Sequence, residues 1–233
     1  LFENMVHPVL ARIEGDPAGT KGISIFMVPK YRVNEDGSLG EFNDVHCTGI
    51  EHKMGLKGSA TCSMSFGDNG DCIGELLGEE RKGMAIMFQM MNEARLGMGL
   101  QGSSTSSVSY LHALAYAKER IQGKNIKDMM NPEAPNVPII QHPDVRRMLM
   151  WMKTHTEGIR ALVYLCSLCL DKANASAGEE VEKWTGIMDF LIPVCKAYGT
   201  DMGFRVTELG IQCFGGYGFC NDYPMHQFMR DMK

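Results

Sequence analysis

Gly83-Met-Ala-Ile-Met-Phe-Gln-Met-Met-Asn-Glu-Ala-Arg-Leu-Gly-Met-Gly-Leu-Gln-Gly102 is where the character of the chain changes. Met84, Met87, Phe88, Met91, Leu96 and Leu100 recur at intervals of three and four, the spacing that lines one face of an amphipathic helix. The pattern runs on to about Gln122. Upstream the chain reads as β. Val9-Leu-Ala-Arg-Ile13 and Ile23-Ser-Ile-Phe-Met-Val28 are short strand-like runs, and Ala60-Thr-Cys-Ser-Met-Ser-Phe66 alternates. Turn chemistry separates them at Gly15-Asp-Pro-Ala-Gly19, at Asp36-Gly37 and at Asp68-Asn-Gly-Asp71. Downstream, residues 125–138 carry three prolines and read as a loop. Further helices are expected over Asp144 to about Ala173, Val181 to Tyr198, and Asp201 to about Gln212. The expected fold is therefore α+β: a partial β domain over residues 1–80, then an antiparallel four-helix bundle over 84–233. Only four or five strands are visible, few for a closed sheet, so further sequence is expected on the N-terminal side.

The chain has 233 residues, 44% hydrophobic and 22% charged, the balance of an ordinary globular protein. A net charge of −5 argues against a nucleic-acid binder, which usually carries a basic stripe. No apolar run reaches the length of a membrane span. The start, Leu1-Phe-Glu-Asn-Met-Val-His7, has neither a basic leader nor a cleavage site, and it is expected to be a cut through a longer protein. Eight cysteines raise the question of disulfides. Several lie inside apolar helical runs, such as Val163-Tyr-Leu-Cys-Ser-Leu-Cys-Leu170, so they are read as reduced core residues of a cytoplasmic protein. Cys166 and Cys169 form a CxxC without a second pair at zinc-ribbon spacing, so no metal is expected. Met84, Met87, Met91, Met148 and Met152 sit at helical spacing and are read as core filling.

Gly97-Met-Gly-Leu-Gln-Gly102 matches GxGxxG, but a nucleotide fingerprint needs a strand before it and a helix opening at it. Here the match lies in mid-helix, where small residues let helices approach closely. No Glu has a His three residues later, which excludes the di-iron bundle ligand set. No Gly-x-Ser-x-Gly is present for a serine hydrolase. Asn92 and Arg95 share one helical turn, either as a solvated face or as groups aimed at a polar, anionic ligand. Glu119-Arg-Ile-Gln-Gly-Lys124 closes that helix, where basic groups complement its dipole; the alternative is that Arg120 binds a pyrophosphate. Gln141-His-Pro143 suits the start of a helix, and His142 is read as structural.

The run Gln212-Cys-Phe-Gly-Gly-Tyr-Gly-Phe-Cys-Asn-Asp-Tyr-Pro-Met-His-Gln-Phe-Met-Arg-Asp-Met-Lys233 combines a glycine cluster with an aromatic and arginine segment. Gly215, Gly216 and Gly218 would let the backbone take positive φ and lie close to a bulky ligand. This run resembles the closing segment of the acyl-CoA dehydrogenase flavoproteins. Other pieces match in family order. They are Gly19-Thr-Lys-Gly-Ile-Ser-Ile-Phe-Met-Val-Pro29, His52-Lys-Met-Gly-Leu-Lys-Gly-Ser-Ala-Thr61, Leu77-Gly-Glu-Glu-Arg-Lys-Gly-Met84, Asn92-Glu-Ala-Arg-Leu96 and Tyr116-Ala-Lys-Glu-Arg-Ile-Gln-Gly123. The Asp36-Gly-Ser-Leu-Gly40 and Lys57-Gly-Ser-Ala-Thr61 segments look most like the bacterial 3-methylmercaptopropionyl-CoA dehydrogenase subgroup.

The resemblance implies the later part of a middle β domain, then most of a C-terminal helical domain, in a homodimer or homotetramer. It implies FAD as cofactor, acyl-CoA as substrate and electron-transfer flavoprotein as acceptor. The implied reaction is α,β-dehydrogenation to the trans-2-enoyl-CoA. Carried over residue by residue, it points to Arg120, Gln122, Gln212, Gly215 and Gly216 for FAD and to Asn92 and Arg95 near the acyl-CoA. Ile121-Gln-Gly123 is shorter than the matching stretch of many relatives, which puts Gln122 in question. The family's catalytic glutamate is expected beyond Lys233, so residues 1–233 alone are expected to be inactive. An acyl-CoA oxidase, an AidB-like DNA-damage-response flavoprotein and a flavin-free helical scaffold remain as alternatives.

Overall fold

A computed structural model describes residues 3–233, which fold as two compact units, one ending at Met91 and the other running Asn92–Lys233. The first unit contains three small antiparallel sheets. β1 (Val6–Arg12) pairs with β2 (Ile23–Pro29), which also pairs with β7 (Glu75–Leu76); β3 (Tyr31–Val33) pairs with β4 (Leu39–Phe42), and β5 (Val45–Ile50) with β6 (Cys62–Phe66). The β3–β4 hairpin turns where Asp36-Gly37 signalled it. Gly37 has φ 79° and donates to the Asn34 carbonyl, while the Asp36 carboxylate accepts from Ser38 N–H. β5 and β7 were not foreseen, because β7 is two residues long and β5 carries no clear period-two signal.

A buried polar side chain ties these sheets together. Asn43 is fully buried, and its amide donates to the carbonyls of Pro29 and Ile73, both at 2.8 Å. Its side-chain oxygen accepts from Ile73 N–H at 2.9 Å and Arg32 Nε at 3.2 Å. With every polar atom used, the amide costs little to bury and fixes three segments at once.

The second unit is helical. α1 (Gly83–Glu119) starts in the first unit and runs into the second; after a two-stranded β8 (Ile121–Lys124) and β9 (Asn136–Pro138) come α2 (Pro143–Ala175), α3 (Glu179–Phe214) and the short α4 (Met225–Met232). Side-chain pairings give the helix directions. Gly99 and Gly102 of α1 meet Cys195 and Gly199 of α3, while Ser106 and Ser109 meet Gly203 and Gly210. Both series ascend, so α1 and α3 are parallel. Ile159 and Met152 of α2 meet Gly199 and Gly210, and Met232 and Met225 of α4 meet Gly203 and Gly210. Those series descend, so α2 and α4 run against α3. Successive helices alternate in direction, so the expected antiparallel arrangement of four helices is present, with α4 as a helix that the sequence reading did not include.

The sequence reading divided α3 into two helices near Gly199-Thr200, and the structure joins them. Gly199 marks a helix crossing rather than a break, since its backbone packs directly against α1. The helix also passes through Pro193, which lies on an exposed face. In the other direction, α1 stops at Glu119, about three residues before its expected end, and Ile121–Lys124 turns to strand. The loop over 125–138 is confirmed in its middle and ends as β9.

The core of this unit combines Ala113, Ala117, Ile139, Met148, Leu149, Met152, Val206 and Cys213 near one end with Ile159, Val163, Cys166 and Cys195 nearer the other. Met148 and Met152 fill the core as expected, whereas Met84, Met87 and Met91 are only half-buried. All eight cysteines are free thiols, four of them buried. No helix among the described residues is long and apolar enough to cross a membrane.

The glycines of the GxGxxG match should respond differently to substitution. A Cβ on Gly102 would lie 2.4 Å from the Gly199 carbonyl oxygen, while a Cβ on Gly97 meets nothing within 4 Å. Gly102→Ala is expected to destabilise by about 2–3 kcal/mol through overpacking. Gly97→Ala should stabilise by up to about 1 kcal/mol through helix propensity. Denaturant unfolding of both variants checks this, and equal effects would contradict the packing reading.

The buried thiols predict an alkaline limit to stability. Burial, with the Cys195 thiol adding to it, pushes Cys166 up to about 12, and burial pushes Cys213 up to about 11, against an ordinary value of 9.0. Stability is intact below about pH 9, where folded and unfolded thiols both hold their protons. It falls as pH rises toward the folded values, because the unfolded thiols ionise first. Melting temperatures measured upward from about pH 9 should decline, and the Cys166→Ala, Cys213→Ala double variant should flatten that decline.

Candidate functional site

The parallel run of α1 and α3 brings their C-terminal ends to the same end of the helical unit, where the antiparallel α2 begins. A cleft of about 890 Å³ opens there. Arg120 follows the last residue of α1 and Gln122 lies on β8. Gln212 is in the last turn of α3, and Gly215 and Gly216 follow it. All five residues, separated by about ninety positions in the chain, line this one cleft.

Local chemistry sets each of them. α3 ends because Gly215 takes φ 58° and ψ −135°, a conformation open to glycine, and donates its N–H to the Gln212 carbonyl. A Cβ on Gly215 or on Gly216 would meet nothing within 4 Å, so their missing side chains leave the cleft mouth open. Gly218 has a different reason. A Cβ there would lie 2.4 Å from the Ile211 carbonyl oxygen, so this glycine lets the chain fold back on the end of α3. Neither Gly216 nor Gly218 has a positive φ, contrary to the expectation for the cluster.

One wall is aromatic. Tyr116 stacks on Phe214 with ring centroids 4.1 Å apart, and Tyr223 packs edge-on against both. Burial pushes the Tyr116 phenol upward, with the positive charge of Arg120 acting in the opposite sense. The Arg120 guanidinium is exposed and lies over the Tyr217 ring at 5.6 Å, which limits its freedom without neutralising it. Arg120 supplies the fixed charge among the lining residues, and no carboxylate is among the described residues that line the cleft. The start of α2 adds the positive end of its dipole. A cation, two amides, open glycine backbone and flat rings together suit an anionic ligand with an aromatic or heterocyclic part.

Asn92 and Arg95 lie elsewhere. They are half-buried on one turn of α1, where Arg95 Nη1 donates to Asn92 Oδ1 at 3.1 Å. About 36 Å of helix separates Arg95 from the end of α1. Among the described residues no group of three metal-ligating side chains comes together.

Sequence reasoning missed Tyr116, Tyr217 and His142 as parts of the cleft. Tyr217 had a signal, since it lies within the glycine cluster. Tyr116 had none apart from its place one turn before Arg120. His142 was read as structural, and its ring nitrogen Nε2 lies 2.7 Å from the Gln122 carbonyl oxygen, at the cleft wall.

Comparison with known proteins agrees with this geometry. Residues 81–233 match the family model described as acyl-CoA dehydrogenase, C-terminal domain. A butyryl-CoA dehydrogenase of Syntrophomonas wolfei is 44% identical over 99% of this chain and 38% of its own length. A 3-methylmercaptopropionyl-CoA dehydrogenase of Ruegeria pomeroyi is 42% identical over 100% of this chain and 39% of its own. The chain thus spans about two-fifths of the length of these curated relatives. Among solved structures, an acyl-CoA dehydrogenase from Bacillus anthracis complexed with FAD superposes with a TM-score of 0.74 at 25% identity, over 97% of this chain and 36% of that one. The chain belongs to the acyl-CoA dehydrogenase family.

Proposed function

We propose that residues 1–80 are the later part of the middle β domain, and 84–233 most of the C-terminal helical domain, of a longer acyl-CoA dehydrogenase. The whole enzyme carries out FAD-dependent dehydrogenation of an acyl-CoA thioester to the trans-2-enoyl-CoA. The observation that carries this reading is the single cleft that gathers Arg120, Gln122, Gln212, Gly215 and Gly216.

The cleft suits the adenosine diphosphate part of FAD. Arg120 presents a planar fork of donors to a diphosphate, and Gln122 and Gln212 offer amides beside it. Gly215 and Gly216 keep the mouth clear for a bulky group. The Tyr116 and Phe214 rings give a flat apolar wall. When bound, FAD supplies the acceptor for the β hydrogen of the substrate. Asn92 and Arg95 are assigned to the acyl-CoA, with Asn92 holding the guanidinium in place. The α proton requires a carboxylate within hydrogen-bond reach. We assign that base outside residues 1–233.

Electron-transfer flavoprotein is the proposed electron acceptor, and the cytoplasm the proposed location. A homodimer or homotetramer is the proposed assembly. Exposed Leu100, Val108 and Leu111 on α1 and Leu165 and Leu168 on α2 support a further copy as a neighbour.

The full-length enzyme should be yellow, and its flavin absorbance should bleach on adding a short acyl-CoA. Rapid oxygen uptake would instead favour an oxidase, and the absence of flavin would remove the reading. Arg120→Ala should weaken FAD binding by about 1.5–3 kcal/mol, roughly ten- to a hundredfold, in an equilibrium titration. The isolated 1–233 polypeptide should reduce no electron acceptor with any acyl-CoA.

A further inference from the structure

The segment that carries Arg120 and Gln122 is held from one side by a single short turn. β8 and β9 pair at Ile121 with Pro138 and again at Lys124 with Asn136, so β8 carries one extra residue between these points. Such a bulge leaves a carbonyl outside the ladder. Gly123 takes φ +73° within it. The carbonyl set free is that of Gln122, and His142 Nε2 lies 2.7 Å from it. A carbonyl only accepts, so Nε2 carries the hydrogen whether the ring is neutral or charged.

His142 is itself well anchored. Its backbone N–H donates to the Ile139 carbonyl at 3.0 Å, and its carbonyl accepts from Arg146 N–H at 3.1 Å. Pro143, which follows it, begins α2. Ile139 N–H donates in turn to the Arg120 carbonyl at 2.8 Å. The turn over residues 139–142 therefore holds two alternate carbonyls of the arginine segment, one by a backbone donor and one by an imidazole.

We propose that His142 is a positioning residue, whose Nε2–H holds the bulged Gln122 backbone so that Arg120 and Gln122 face the cleft. This rests on the reading of the cleft as the binding site for the diphosphate of FAD. The role is local to the site. Ile121 is 60% exposed and Gln122 and Gly123 are exposed, so the bulge buries little surface and contributes little to global stability. Removing the donor leaves the Gln122 carbonyl without its partner and frees the bulge to move. The Arg120 backbone keeps its bonds to Ile139 and Tyr116, while its side chain is held at the cleft by the contact with Tyr217 alone among the described rings.

The test uses the full-length flavoprotein stripped of FAD, with FAD as the titrant. His142→Leu removes the donor, and His142→Gln restores an N–H of similar reach. Expected are an FAD dissociation constant raised about tenfold in His142→Leu and restored to within about threefold of wild type in His142→Gln. The apoprotein melting temperature should change by less than about 2 °C in both. Unchanged FAD binding in His142→Leu overturns the proposal, as does equal weakening in both variants. A melting temperature lowered by more than about 5 °C also overturns it, because it makes the role structural. Arg120→Ala in parallel separates the two readings. If it binds FAD as wild type does, the assignment of the cleft fails; if it weakens binding while His142→Leu does not, only the role of His142 fails.

Discussion

The contact between α1 and α3 across Gly99, Gly102 and Gly199 sets the geometry on which the helical unit depends. Here the backbones themselves touch, and a Cβ on Gly102 would fall 2.4 Å from a carbonyl oxygen. A contact this close tolerates no slippage, because any shift along the helix axis would bring a side chain into the space of the opposite backbone. Ser106 against Gly203 and Ser109 against Gly210 extend the same register toward the C-terminal ends. The hydroxyls along it, those of Ser106 and Ser109, are buried without a protein partner. The small size of these residues, rather than their hydrogen bonding, accounts for their place there.

That register builds the cleft. From Gly102 to the end of α1 is a span close to that from Gly199 to the end of α3, so two parallel helices locked at these glycines end at nearly the same level. Arg120 therefore comes beside Gln212, Gly215 and Gly216. α2 runs the other way and starts at this level, bringing His142 to the third side. The cleft is thus a consequence of helix ends being brought into line. Its polar groups lie in the last turn of a helix or just beyond a helix end, where backbone N–H and C=O groups are unsatisfied and side chains face solvent.

The first unit shows the same economy with different chemistry. Its sheets are small, and none is wide enough to fix the others by apolar packing alone. A fully satisfied buried Asn43 does so by joining the backbones of residues 29 and 73 and the side chain of Arg32. Polar specificity replaces the tight apolar seam that organises the helical unit.

The sequence by itself determined the change from β to helix at Gly83, the start of α2, the hairpin at Asp36-Gly37 and the family. These rest on local signals, namely periodicity, turn residues and ordered motifs, which act over a few neighbours in the chain. It also singled out five residues that turned out to line one cleft, but it did so through resemblance and without a reason why they should meet. Only the tertiary structure decided that Gly199 continues a helix, that Gly218 serves the end of α3, and that Tyr116, Tyr217 and His142 belong to the cleft. Each depends on a neighbour far away in the chain. A glycine that breaks a helix and one that lets two helices touch have the same local sequence signal, and the backbone on the other side distinguishes them.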